Sequence, residues 1–503
     1  MQCKGPRATT NYKGILALTT VGAFSKIVSV LFKIIIIYII GTIGIGYYQL
    51  AFPLFVFSYT LASVGNATSL TMFVAGESTS KNGGIIKYAV VFSGVISGVV
   101  AMLIALFCKP IAILQGNENL YVVYLGVAVC IVAVSILSTY RGAVRGFRLI
   151  TKYAISDCVE QASKLLLSVL FAYLLMPSGL IYAVLGVFLG ISCSAVIASV
   201  YTIAVLKVHQ KGLVANNNNI DVKRFWIFTI LSCITSLILP LTQFIDSTLI
   251  VRLLEHIGYS HIYATKLFGL SRGTVSSLIN LPNSAFIAIE LLLLPDLVKL
   301  KAEEFTKKSQ QIIIITTFLV SLFCATFLLF SNEILSLIYG AKLDKTEFDI
   351  SLNLLKIGAV SIFFSGLSQI QSTILQGKKM LYLPIISLVV ASVCKLAFEV
   401  FLIPNLGIVA VELSFVMFYV VICLLNSIFM CYKNLSFGST KNLLALILGF
   451  GLITLLRLLY LLYAKKMNYI FAIILAGASV VLIICMALVF VTQRKKQRQN
   501  NNF

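Results

Sequence analysis

Long apolar runs alternate with short polar connections along almost the whole chain. A helix rises 1.5 Å per residue, so about 20 consecutive apolar residues cross the hydrocarbon core of a bilayer. Runs of that length predict fourteen membrane-spanning helices. Their approximate bounds are 15–40, 47–74, 88–108, 120–140, 153–176, 180–206, 225–254, 262–294, 310–331, 349–376, 381–403, 406–430, 442–463 and 468–491. The pattern therefore predicts an all-α polytopic membrane protein.

Composition leads to the same class of protein. Of the 503 residues, 59% are hydrophobic and 11% are charged, and the mean hydropathy is +1.01. A soluble domain of this length could not bury so much apolar surface. The net charge of +22 would suit nucleic acid if it formed one patch, but the basic residues are spread over short connections. We expect membrane lipids as partners and no nucleic acid.

Lys and Arg are unequally distributed between the two ends of the spans. Of the 39 basic residues, 25 fall in connections on one side and five on the other, and nine lie within or near the ends of spans. An excess of Lys and Arg marks the cytoplasmic side of a membrane protein. The distribution predicts that both termini are cytoplasmic.

Two lysines, Lys26 and Lys33, lie inside the first apolar run. Seven residues of helix make almost two turns, so both side chains face the same way. A cation at the centre of a bilayer costs about 2.5–3.5 kcal/mol on insertion scales. Two cations on one stripe therefore indicate a hydrated, protein-lined cavity that an anion can enter.

The chain contains a weak internal repeat, which predicts two lobes related by duplication. Short matches recur 231 residues apart: Gly146 with Gly377, Ile155-Ser156 with Ile386-Ser387, and Lys164-Leu165 with Lys395-Leu396. The predicted organisation is an N-terminal lobe of spans 1–6 at 1–206, a cytoplasmic linker at 207–224, a C-terminal lobe of spans 7–12 at 225–430, and spans 13 and 14 with a basic tail at 431–503.

The sequence has few features of an enzyme. Its eleven cysteines occur singly, without a CxxC pair, so neither a disulfide framework nor a zinc site is indicated. No nucleophile elbow, phosphate-binding glycine loop or metal triad is present in the sequence. We therefore expect a carrier rather than an enzyme, with no resident cofactor and no firmly indicated metal site.

Several local patterns are similar to those of a known family. They are Ser25-Lys26 with Lys33, Gly44 through Pro53, Arg141-Gly142 with Gly146, Ile155-Ser156, Val159-Glu160-Gln161, Ile245-Asp246-Ser247 with Arg252, and Leu267-Phe268-Gly269 through Asn280-Leu281-Pro282. Together they resemble the stage V sporulation protein B group of polysaccharide and lipid II flippases, within the superfamily that also contains multidrug and toxin extruders.

The resemblance implies a bacterial cell-membrane protein with two pseudo-symmetric six-helix lobes and two C-terminal helices. It implies transport of an undecaprenyl-pyrophosphate-linked saccharide from the inner to the outer leaflet by alternating access. Relatives in the lipid II branch carry basic residues on spans one, two and eight. Span two of this chain, from Tyr47 to Val74, has none.

These considerations give a set of candidate substrate-binding residues. Cations would neutralise the diphosphate, and polar groups would bind sugar hydroxyls. The candidates are Lys26, Lys33, Arg252, Arg272, Tyr48 and Gln49. The alternatives are that the cations snorkel or pair within the protein and that Tyr48 and Gln49 join neighbouring helices. Lys164 and Lys395 are weaker candidates that could instead hold the ends of spans together.

Three acidic residues of the C-terminal lobe form a second candidate site. Asp246, Glu399 and Glu412 supply the oxygen ligands that a hard cation prefers, so they are possible sites for Na⁺ or H⁺ coupling. The alternative is that Asp246 pairs with Arg252 and that both glutamates lie near the outer interface. Other functions remain open: a multidrug and toxin extruder of the same fold, or a non-transporting membrane scaffold for envelope synthesis. The saccharide and the oligomeric state cannot be predicted from the sequence.

Overall fold

A computed structural model describes residues 12–76, 82–210, 222–297, 300, 302–432 and 439–463. The regular structure in these ranges is helical, and they contain no β-strand. Ten of the helical stretches in them are long and apolar enough to cross a membrane. The protein is therefore an all-α, multi-pass membrane protein. The count of fourteen spans stays a prediction, and the predicted span 468–491 lies outside the described residues.

Fifteen α-helices, α1 to α15, follow one another in the described ranges. Their bounds are Tyr12–Tyr59, Gly65–Gly76, Asn82–Leu114, Tyr121–Gly146, Ile150–Leu175, Leu180–Gln210, Val222–His256, His261–Gly269, Ser276–Leu297, Ala302–Leu329, Ser331–Tyr339, Lys345–Gly377, Tyr382–Leu406, Val409–Tyr432 and Ser439–Tyr463. Two π-helical turns, Thr60–Val64 and Leu270–Val275, join α1 to α2 and α8 to α9.

The first helix, α1, is interrupted at Gly41. Its φ of 69° and ψ of −174° lie outside the helical region, where glycine avoids the steric cost that a side chain would add. The interruption separates α1 into two segments: the first contains the first predicted span, and the second contains the beginning of the second predicted span. A single 48-residue helix is thus replaced by two helical stretches of different direction.

The chain divides into two compact units. Of the described residues, the first unit contains those up to Ile40 and those from Tyr47 to Thr248, and the second contains Gly41–Gly46 and those from Leu249 onward. The chain passes from the first unit to the second inside α7, after Thr248. The lobe boundaries predicted from the sequence, at 1–206, 207–224, 225–430 and 431–503, stay a prediction.

Each unit is built around one central helix. In the first unit α4 packs against α2, α3 and α6, and α6 packs along α5. In the second unit α12 packs against α9, α10 and α14, while α13 lies along α14 and α15 along α10. Apolar side chains fill these contacts, with Val127 and Ile131 of α4 and Leu354 and Ile362 of α12 fully buried.

The two central helices end in the same turn. After α4 the amide of Arg148 donates to Arg145 and that of Leu149 to Val144, and Arg148 has a φ of 57°. After α12 the equivalent bonds start at Lys379 and Met380, 231 residues later, and Lys379 has a φ of 64°. Both are Schellman turns with a basic residue at the position where glycine is usual. This shared turn supports the predicted repeat at one place; the arrangement of six-helix lobes stays a prediction.

Candidate functional site

The first unit contains a cavity of about 390 Å³. Helices α1, α2, α4, α5 and α6 contribute its walls. Its charged lining residues are Arg141, Arg145, Glu160 and Lys164, and its aromatic lining residues are Phe52, Phe55, Tyr59 and Tyr153. Three cations thus face one carboxylate, which gives the cavity a positive potential suited to an anion.

Close packing of α2 against α4 positions the first of these cations. A methyl group added to Gly142 would lie 2.6 Å from the carbonyl oxygen of Ala67, so only glycine allows this approach. Thr71 Oγ1 fixes the same contact by donating to the carbonyl of Gly142, at 2.9 Å. Arg141, the preceding residue, is therefore held in the penultimate turn of α4 and lines the cavity.

Arg141 is joined to α5 by a polar network. Its Nε donates to Ser156 Oγ at 3.0 Å, and its Nη1 forms a salt bridge with Glu160. Asp157 Oδ1 lies 3.7 Å from the same Nη1. The side chains of Arg141 and Glu160 are only 11% and 14% exposed, so solvent and salt screen this pair less than an exposed one.

The other two cations contact aromatic rings. Arg145 Cζ lies 5.4 Å from the ring centroid of Tyr153, and Lys164 Nζ lies 4.7 Å from that of Phe32. Rings stabilise cations without neutralising their charge. In the part of the chain that the structure describes, neither Arg145 nor Lys164 forms a salt bridge. They therefore supply most of the positive potential in the cavity.

The lining of the cavity also combines rings with hydroxyl groups. The rings of Phe55 and Tyr59 stack with centroids 6.1 Å apart, and Phe52 lies 5.9 Å from Phe55. The hydroxyl of Tyr59 donates to Ser138 Oγ at 3.2 Å. Apolar faces beside hydroxyl groups suit a sugar, which has both C–H faces and hydroxyls.

The predicted residues of α1 lie in two different surroundings. The side chain of Lys26 lies outside the described residues, and Lys33 is half-buried. Tyr48 is buried among the rings of Phe32, Phe52 and Phe188, at centroid distances of 6.4, 5.4 and 5.4 Å. Gln49 is buried as well. Neither Tyr48 nor Gln49 lines the cavity, and their roles in binding substrate stay predictions.

The second unit holds a separate cluster of buried charges on α13, α14 and the π-helical turn Leu270–Val275. Lys395 Nζ lies 3.3 Å from Glu399 Oε1, and Arg272 Nη2 lies 4.0 Å from the same atom. Both cations lie over the ring of Phe415, at 3.6 Å for Arg272 and 4.3 Å for Lys395. Lys395 and Glu399 are 2% and 0% exposed, so this pair is sealed inside the unit.

The remaining predicted residues are distributed over both units. Glu412, buried on α14, accepts a hydrogen bond of 2.6 Å from Ser271. Asp246 is buried on the part of α7 that belongs to the first unit. Arg252 is exposed and pairs with Glu255 at 3.2 Å. Within the described ranges no three His, Cys, Asp or Glu side chains are grouped so that they could hold a metal ion. Coupling to Na⁺ or H⁺ stays a prediction.

Three charged residues of the cavity, Arg141, Arg145 and Glu160, are absent from the candidates taken from the sequence, and the fourth, Lys164, is only a weaker candidate there. Arg141 and Arg145 count as loop residues when the apolar run is ended at 140, but α4 continues to Gly146. The available signal was their spacing. Arg141 and Arg145 are four residues apart, as are Glu160 and Lys164, so each pair lies on one helix face.

Comparisons with known proteins give a family and a fold. A family model described as polysaccharide biosynthesis protein matches residues 12–264. Stage V sporulation protein B of Bacillus subtilis (strain 168) is 24% identical over 307 residues, which cover 57% of this chain and only 58% of that protein. The fold is similar to that of the lipid II flippase MurJ in an inward closed conformation, with a TM-score of 0.72, 11% identity, and coverage of 95% of this chain and 99% of that one. It is also similar to an inward-facing multidrug resistance MATE family transporter of the MOP superfamily, with a TM-score of 0.59, 14% identity, and coverage of 88% and 98%.

Proposed function

We infer that this chain, which belongs to the polysaccharide biosynthesis protein family, is a membrane flippase for an undecaprenyl-pyrophosphate-linked saccharide. It moves this lipid from the inner to the outer leaflet of the bacterial cell membrane by alternating access. The observation that carries the proposal is the cavity of the first unit, where Arg141, Arg145 and Lys164 face a single carboxylate.

The cationic and the aromatic lining residues of the cavity suit the two parts of such a headgroup. Arg145 and Lys164 bind the diphosphate, because their ring contacts leave their charges unneutralised. Tyr59 and Ser138 exchange their mutual hydrogen bond for bonds to sugar hydroxyls, and Phe55 packs against the sugar ring. The polyprenyl tail stays in the bilayer, where its transfer needs no protein site.

The charges of the cavity argue against the alternatives. An extruder of organic cations needs acidic groups where its cargo binds, and this cavity has more cations than carboxylates. A scaffold for envelope enzymes has no need for cations facing an interior cavity, because burying them costs free energy without a ligand to offset it. An anionic cargo accounts for the arrangement.

A reconstituted flippase assay tests the proposal. The purified full chain is placed in phosphatidylcholine vesicles with a fluorescent undecaprenyl-diphosphate-linked saccharide, and an impermeant quencher reports the fraction in the outer leaflet. The wild-type chain should accelerate exchange, and Arg145→Gln combined with Lys164→Gln should reduce the rate by about tenfold or more, since two charge-assisted contacts are lost.

A matched control removes a charge elsewhere on the same helix. Lys152, exposed near the start of α5, does not line the cavity. Lys152→Gln should therefore transport at the wild-type rate. If the wild-type chain gives no acceleration with any lipid-linked saccharide, or if Lys152→Gln is as slow as the double variant, the proposed function is wrong.

A further inference from the structure

Among the described residues that line the cavity, Glu160 is the one carboxylate. Its salt bridge in the described part of the chain is with Arg141 of α4. Lys164 follows it by four residues on α5, and a Glu followed by a Lys at this spacing is a favourable helical pair. Lys164 nevertheless lies over the ring of Phe32, 4.7 Å from its centroid. Glu160 therefore pairs with Arg141, although a second cation, Lys164, lies one helical turn further along α5.

Arg141 has hydrogen-bonding capacity beyond this salt bridge. Its Nε is bonded to Ser156 and its Nη1 to Glu160, but Nη2 is buried without an acceptor among the described residues. A phosphate presents several acceptor oxygens and binds a guanidinium through two parallel N–H donors. A phosphate can therefore accept a hydrogen bond from Nη2 and also replace Glu160 as the partner of Nη1, provided that the carboxylate moves away.

We propose that Glu160 is an exchangeable counter-ion: it neutralises Arg141 in the empty cavity, and when an anionic headgroup binds Arg141 it passes to Lys164, whose three ammonium donors hold the carboxylate and the headgroup together. The inference rests on the proposed function and assigns a positioning role within the same site. The exchange keeps the number of unpaired buried charges low in both states. It also lowers the affinity for the headgroup, because the headgroup must displace an existing salt bridge, and it speeds release, because Glu160 returns to Arg141.

Asp157 provides a matched control. Like Glu160, Asp157 lies on α5 and approaches Nη1 of Arg141, with its Oδ1 at 3.7 Å from that atom. It does not line the cavity. Its side chain is also more exposed than that of Glu160, so its interaction with Arg141 is more strongly screened. If the affinity for an anion depended only on the total charge around Arg141, removing either carboxylate would change that affinity by a similar amount. If Glu160 exchanges between Arg141 and Lys164, removing Glu160 should have the larger effect.

The test uses farnesyl diphosphate, a short polyprenyl diphosphate, as the binding probe for the purified full chain, together with the transport assay. Glu160→Gln should bind the probe about five- to tenfold more tightly, and its KM for transport should fall with its maximal rate, since release becomes slower. Asp157→Asn should stay within about twofold of wild type in both measurements. Glu160→Asp keeps the charge and should restore most of the maximal rate.

A double variant tests the proposal independently of the stability of Glu160→Gln alone. Lys164→Met removes the second partner of Glu160, so probe binding should weaken, and adding Glu160→Gln should restore it. The inference is wrong if Glu160→Gln has a wild-type melting temperature but binds the probe no more tightly than the wild-type chain. It is also wrong if Asp157→Asn increases the affinity for the probe as much as Glu160→Gln does. If Glu160→Gln does not fold, additive effects of Glu160→Asp and Lys164→Met overturn it. A wild-type chain that neither binds the probe nor transports instead overturns the proposed function.

Discussion

The two units use the same kinds of residue in opposite ways. In the first, Lys164 lies over Phe32 beside a cavity, and the cavity has more cations than carboxylates. In the second, Lys395 lies over Phe415, but a fully buried carboxylate, Glu399, lies one turn further along its helix. Lys164 and Lys395 are repeat partners in the sequence. The position of the acidic residue relative to the lysine thus distinguishes a lysine beside a cavity from a sealed internal ion pair.

The largest effect should follow from breaking the sealed pair. Lys395→Met should destabilise the protein by about 3 kcal/mol, because removal of one partner leaves Glu399 buried without its nearest charge. Adding Glu399→Gln should recover part of that loss, since it removes the uncompensated carboxylate while Arg272 keeps its contact with the ring of Phe415. Thermal unfolding of the detergent-purified protein gives both values. An unchanged melting temperature for Lys395→Met would show that the pair is not structural.

The second prediction compares the glycines that close the two central helices. A methyl group on Gly146 would lie 2.6 Å from Val74 Cβ and 3.0 Å from the carbonyl oxygen of Thr71. On Gly377 it would meet Leu297 Cβ at 2.9 Å and no backbone atom among its three nearest contacts. Gly146→Ala should therefore cost about 2 kcal/mol and Gly377→Ala less than about 1 kcal/mol, by the energetics of overpacking. Equal losses in thermal unfolding would contradict this difference between the units.

The third prediction concerns the open site. Lys164→Met should change the free energy of unfolding by less than about 0.5 kcal/mol, because among the described residues the lysine contacts a ring and forms no salt bridge that the substitution would break. The same substitution should lower the transport rate about tenfold, equivalent to about 1.4 kcal/mol. Loss of stability comparable to that of Lys395→Met would mean that the two lysines have the same structural role.

The smallest effect should come from the turns that the units share. Arg148 and Lys379 both have a positive φ, where a side chain is strained and glycine is not. Arg148→Gly and Lys379→Gly should each stabilise the protein by about 0.5–1 kcal/mol. If thermal unfolding shows that one substitution stabilises the protein and the other destabilises it, the two turns are not equivalent.

The sequence predicted the helical class of the fold and missed much of the cavity, for identifiable reasons. Hydropathy reports whether a segment lies in a membrane, so it predicts the long apolar helices. Hydropathy does not report how far a helix continues into polar sequence, which is why Arg141 and Arg145 were assigned to a connection. Nor does it report which helices meet, so the pairing of Arg141 with Glu160 required the contact between α4 and α5.

Charge alone was an incomplete guide to the function of individual residues. The rule that intramembrane cations are functional identified Lys164 and Lys395 equally, because both lie in apolar sequence with the same repeat position. Their difference depends on Glu399, which is buried against Lys395 and has no counterpart at the equivalent place, Ser168. Similarly, Tyr48 is polar enough to bind a sugar, but three neighbouring rings place it in aromatic packing.

The assignment of Gly41–Gly46 and of the end of α7 has a consequence for engineering. The polypeptide enters the second unit for six residues, returns to the first, and leaves it only after Thr248. Splitting the gene in the 207–224 connection would therefore yield two fragments, neither of which encodes a complete unit. Chimeras that swap halves with a relative at this connection would mix both units, whereas an exchange of the second alone must also carry the short Gly41–Gly46 piece.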